Sequence, residues 1–136
     1  MTAITRIESF LEANTPSALC LLRVASSLIF MAHGTQKILG FPAGKAPVEL
    51  FSIFGAAGVL ELVGGLLLLI GLFSRPVAFI LSGQMAVAYW FFHFPKDLFP
   101  VNNGGDASIL YTFVFLLIMF AGPGRFALDS AMRSRK

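Results

Sequence analysis

Between Leu50 and Phe73 the only ionisable side chain is Glu61. A stretch that long and that apolar is what about 30 Å of bilayer hydrocarbon demands of a crossing helix. Three other runs resemble it: Ser17 to about Leu39, Pro76 to about Phe94, and Asp106 to Gly122. Each holds roughly 17–24 residues, the length of a transmembrane helix. Hydrophobic residues make up 57% of the chain and charged residues 12%. A soluble domain carries about 25% charged residues, because its surface must be solvated. The chain therefore reads as all-α: one integral membrane four-helix bundle filling residues 1–136, with spans at about 17–39, 50–73, 76–94 and 106–122.

Prolines punctuate the spans. Thr15-Pro16 precedes the first, Ser74-Arg75-Pro76 separates the second from the third, Pro95 stops the third and Pro123-Gly124 the fourth. Before the first span, Ile4, Ile7, Phe10 and Leu11 recur at helical spacing, with Arg6, Glu8 and Glu12 between them. This predicts a short N-terminal amphipathic helix on the membrane surface. The acidic residues and the length of the following run argue against a cleaved signal peptide, so the first span is expected to be retained.

Lys and Arg in the loops set orientation. One side holds Arg6, Arg75, Arg125, Arg133, Arg135 and Lys136, the other Lys37, Lys45 and Lys96. The majority side is expected to be cytoplasmic, with both termini inside and loops 40–49 and 94–105 outside. The net charge of +3 is scattered and does not suggest nucleic-acid binding. The basic tail suits the inner membrane face or a soluble partner docked there. Cys20 is the only cysteine, which excludes an internal disulfide and a C-x-x-C redox pair.

Ionisable residues inside an apolar bundle are costly, roughly 2.5–3.5 kcal/mol at a helix centre on the lenient scale. In span 1, Arg23, Ser26, Ser27, Phe30, His33, Gly34 and Lys37 fall on one helix face. In span 2, Glu61 is flanked by Gly55, Gly58, Gly64 and Gly65, which predicts a tight helix contact there. Span 3 carries Gln84 and His93, and span 4 opens on Asp106, a candidate N-cap, with Tyr111 one turn in. Depth counted along each helix gives a middle layer of Glu61, Gln84 and Tyr111 and an outer layer of His33, Lys37, His93 and Asp106. Arg23 is the obvious counter-ion for Glu61. However, side chains lean toward their own helix N-terminus, which aims Arg23 inward and Glu61 outward. Arg23 snorkelling to headgroups, and Glu61 paired with Tyr111 or His33, remain open.

The order of these pieces resembles the DoxX family of small bacterial membrane proteins. The resemblance rests on Arg23, then His33-Gly34-Thr35-Gln36-Lys37-Ile38, then Gly58-Val59-Leu60-Glu61-Leu62-Val63-Gly64-Gly65-Leu66 and Gly71-Leu72-Phe73-Ser74-Arg75-Pro76. It continues with His93, Gly104-Gly105-Asp106 and Gly122-Pro123-Gly124-Arg125-Phe126-Ala127-Leu128-Asp129. It implies a four-helix inner-membrane protein. The family is named for its likeness to a subunit of a thiosulfate:quinone oxidoreductase, so it also implies a link to membrane redox complexes.

The residues themselves admit several roles. His33 and His93 with Asp106 offer two imidazoles and a carboxylate, but no spacing of the H-x-x-x-H kind marks a metal site, and no metal is assigned. A quinone needs an apolar slot with one or two donors at its carbonyls, which His33, Tyr111, Glu61 and Gln84 among many Phe would provide. The leading expectation is a subunit or accessory of a quinone-linked redox system. The alternative is a non-enzymatic membrane anchor or small-molecule carrier with a structural polar core. No catalytic residue is assigned, and the Gly-rich faces are compatible with a homodimer.

Overall fold

The computed structural model describes residues 2–134. Arg135 and Lys136 of the basic tail lie outside the described residues. Thr2 caps the first helix, its side chain accepting the Thr5 amide and so pairing one of the donors a helix start leaves unmade. Helix α1 then runs unbroken over Ala3–Leu39, about 55 Å at 1.5 Å per residue. The amphipathic stretch is helical but is not a separate element: it is the exposed beginning of α1. Pro16 lies inside the helix rather than at its start. The side chains of Asn14 and Thr15 bond back to the carbonyls of Phe10 and Leu11 and support the turn that the proline interrupts.

Helix α2 spans Ile53–Ile70, capped by Ser52, whose hydroxyl accepts the Gly55 amide at 3.0 Å. It ends on Gly71 with φ +70°, a left-handed conformation that glycine adopts without steric cost. Helix α3 covers Ser74–Ala88 and continues through a π-helical turn, Tyr89–His93, and a 3-10 turn, Phe94–Lys96. A short α4, Pro100–Asn103, precedes α5, Asp106–Ala121, and a final α6, Leu128–Arg133. Ala3–Leu39, Ile53–Ile70 and Ser74–Lys96 are long and apolar enough to cross a membrane, and α5 is apolar but shorter.

Two antiparallel hairpins, α1 with α2 and α3 with α5, close into a bundle through thinner α2–α3 and α1–α5 contacts. The first hairpin is tight because glycines face it. A Cβ on Gly34 would stand 2.7 Å from the Leu62 amide nitrogen and 2.9 Å from the Gly58 carbonyl oxygen. Backbone cannot yield as a side chain can. Gly34→Ala is therefore expected to destabilise by about 1–3 kcal/mol. Gly83→Ala meets nothing within 4 Å and is expected to be neutral or mildly stabilising. Thermal unfolding of the two variants in detergent checks the contrast; equal shifts would refute the close approach.

The distribution of polarity is inverted relative to a soluble protein. Leu21, Ile29, Val63, Phe79, Phe113 and Phe120 are exposed, whereas Arg23 and Glu61 are 1% and 2% exposed. An apolar outer surface of this extent is a surface for lipid. The core is Phe30, Leu68, Leu81, Met85, Phe115 and Ile118. Phe30 sits edge-on to Phe115, ring centroids 4.9 Å apart, with Tyr111 at 5.1 Å.

Candidate functional site

Buried polar groups gather at two separate places along the bundle. The first surrounds Arg23, and it corrects both readings of that residue. Arg23 does not pair with Glu61, and it is buried rather than turned out to the surface. Its Nε donates to the Pro123 carbonyl at 2.9 Å and its Nη1 to those of Leu68 and Leu69 at 2.7 and 2.6 Å. Its Nη2 donates to the carbonyls of Arg125 and Phe126, both at 3.2 Å. A guanidinium has five N–H groups, and five backbone oxygens take them. Two of those oxygens belong to the last turn of α2, where orphan carbonyls and the negative end of the helix dipole favour a cation. The lean toward the helix N-terminus that made the Glu61 pair awkward carries Arg23 to this end.

Two neighbouring residues repeat the device. Arg75 Nη1 donates to the carbonyls of Met119 and Phe120, at the end of α5, at 2.7 and 2.6 Å. The Asp129 carboxylate accepts the amides of Phe73 and Ser74 at 2.9 and 2.8 Å. It thereby caps α3, which has no cap from its own N-cap residue. Partial burial pushes the Asp129 carboxyl upward, but the Ser74 and Phe73 amides and the charge of Arg133 outweigh it and hold the group below the usual 3.8. A carboxyl depressed in the folded state stabilises above its unfolded value, and that stability is lost as pH falls through the folded value. The melting temperature of wild type should accordingly fall below about pH 4 more steeply than that of Asp129→Asn. Parallel profiles would refute the cap.

The second place is a cavity of about 970 Å³ nearer the other end, beneath the loops between α1 and α2 and between α3 and α5. Six of the residues singled out from sequence line it: His33, Lys37, Glu61, Gln84, His93 and Tyr111. Glu61 makes an ion pair with Lys37, whose side chain is 31% exposed. Gln84 Nε2 donates to Glu61 Oε1 and to the Ala57 carbonyl, each at 3.3 Å. Lys37 leans back from the C-terminal end of α1 and Glu61 leans toward the N-terminal end of antiparallel α2, so the rule that separates Glu61 from Arg23 brings it to Lys37. His93 sits in the π-helical turn, with Nδ1 3.1 Å from the Asn103 carbonyl oxygen. Phe30, Leu60, Ile80, Met85, Val87 and Phe92 supply apolar wall.

Asp106 is not part of this wall. It is the first residue of α5 rather than its cap, which is Gly105, and it is exposed. Among the described residues no group of three or more His, Cys, Asp or Glu is placed to hold a metal ion, so His33, His93 and Asp106 do not form one. Sequence reasoning missed Lys45 and Lys96 as lining residues and Asp129 as a helix cap. All three lie outside the spans expected from sequence, so helical periodicity gave no signal for them.

The DoxX family model matches residues 18–94, more than half of the chain. The chain belongs to the DoxX family. A protein of Haemophilus influenzae described as uncharacterized is 42% identical over 127 residues, which cover 88% of this chain and 94% of the relative. The inner membrane protein YphA of Escherichia coli is 29% identical over 133 residues, covering 86% and 91%. An uncharacterized membrane protein of Mycobacterium tuberculosis is 30% identical over 149 residues, covering 92% and 87%. No solved structure matches. With membrane proteins among its relatives and three apolar helices of crossing length, this DoxX protein is a multi-pass membrane protein. The matched region carries Arg23 and every polar wall residue named above except Lys96 and Tyr111.

Proposed function

We propose that this DoxX protein is a quinone-binding subunit or accessory of an inner-membrane redox system. The observation that carries the reading is the cavity, which joins one polar wall to apolar surroundings. Its size falls within the roughly 300–1,000 Å³ of small-molecule and cofactor sites. Ile53, Leu60, Ile80 and Val87 line it and are also exposed on the flank between α2 and α3. That apolar flank suits entry from lipid and room for an isoprenoid tail. A quinone head needs donors at its carbonyls. Lys37 has N–H groups beyond the one given to Glu61, and Tyr111, His33 and His93 stand on the same wall. Cys20 is the sole cysteine, so no dithiol relays electrons within the chain, and a soluble partner supplies them. The excess of Lys and Arg at the Arg23 end supports a cytoplasmic position for that end and both termini.

The test is extraction of the purified protein into organic solvent and assay for quinone, followed by titration with a short-tailed quinone. Quinone is expected to co-purify, and Lys37→Ala, which removes an N–H donor from the polar wall, is expected to weaken binding about tenfold, or about 1.4 kcal/mol. No quinone in the extract and unchanged affinity in the variant would overturn this reading and leave the anchor or carrier role.

A further inference from the structure

We infer that the cavity prefers the reduced, hydroxyl-bearing quinol to the oxidised quinone; this rests on the reading above. The polar wall is unevenly satisfied. Glu61 Oε1 accepts from Lys37 and Gln84, but Glu61 Oε2 is buried without a partner. Gln84 donates through Nε2, while its Oε1 is also buried and unpaired. Both residues line the cavity. Buried polar atoms without partners are few in folded proteins, and each calls for an explanation.

Two unpaired acceptors on side chains that touch, Gln84 Nε2 being 3.3 Å from Glu61 Oε1, call for a ligand that donates. A quinone carbonyl only accepts, and it would meet these oxygens lone pair to lone pair. A quinol hydroxyl does both. It gives its proton to Glu61 Oε2 or Gln84 Oε1 and accepts from a remaining N–H of Lys37, which has three donors and spends one on Glu61. The apolar walls are indifferent to oxidation state, so discrimination falls on this polar wall. Sites built to bond a hydroxyl reject analogues that lack it far more strongly than apolar pockets reject a change of shape.

The full-length protein in detergent is titrated anaerobically with a short-tailed benzoquinone, its hydroquinone and the dimethyl ether of that hydroquinone. The hydroquinone is expected to bind at least about tenfold tighter than the quinone, and the ether no better than the quinone. For a two-electron couple, tenfold corresponds to an upward shift of about 30 mV in the midpoint potential of the bound pair. Glu61→Gln replaces an acceptor by a donor and is expected to level or invert the preference. Equal or tighter quinone binding, an ether equal to the hydroquinone, or a preference undiminished in Glu61→Gln would overturn the inference while leaving quinone binding standing. Binding of neither form would remove the functional reading and this inference with it.

Discussion

Arg23→Ala is expected to be the most damaging single substitution in the bundle. It removes five donors from five backbone oxygens in the interior, and the smaller side chain offers nothing in return. Hydrogen bonds to charged groups contribute roughly 1.5–3 kcal/mol each, and buried acceptors left without a donor carry their desolvation penalty. These contributions do not add, so a total of about 3–5 kcal/mol is the reasonable scale. In thermal unfolding that corresponds to a drop on the order of 10 °C or more. Arg23→Lys keeps the charge but has three N–H groups in place of five, and should fall between wild type and alanine. A melting temperature within a degree or two of wild type for Arg23→Ala would mean that the guanidinium does not hold the helix ends.

The role of Arg23 was not legible in the sequence, although the residue itself stood out. Its partners are carbonyls, which every residue owns and no residue type announces. What the sequence did carry was apolar length, small residues and helical phase. Those place the helices, put Glu61 at a close α1–α2 contact, and set His33, Lys37 and Glu61 on faces that meet. The fixed rise per residue was the basis for grouping residues by level, and six of those residues line one cavity. Rotation about the helix axis was harder to read. Asp106 has the right depth for the outer layer, but it faces away from the cavity. Lys37 was legible as a polar outer residue but not as the counter-ion of Glu61, because a long flexible side chain reaches past the layer to which its Cα belongs.

The second large effect concerns that ion pair, and it is expected to be asymmetric. Lys37 is 31% exposed and Glu61 2%. Glu61→Leu leaves an ammonium that can turn toward the cavity mouth, at a cost of about 1–2 kcal/mol. Lys37→Met leaves a carboxylate in the interior without its counter-ion, a loss on the scale of about 3–5 kcal/mol. The double variant Lys37→Met/Glu61→Leu removes both charges and should recover most of the stability. A double-mutant cycle should therefore give a coupling above about 1 kcal/mol. Hydroquinone binding should be weakened in all three, which separates the site's chemistry from its contribution to the fold. Strictly additive effects would show that the two side chains do not pair.

The anchoring of Arg23 also bears on how the chain is made. Arg23 enters the membrane with the first helix, but three of its five acceptors lie at residues 123–126. During synthesis every helix through α5 emerges before that set of partners is complete. Until then the first hairpin holds a cation with unfilled bonds, a feature that marks the nascent protein as unfinished. Truncations that remove the segment after α5 are in the same state, and quality-control proteases that recognise exposed charge within the bilayer would meet them as permanently incomplete chains.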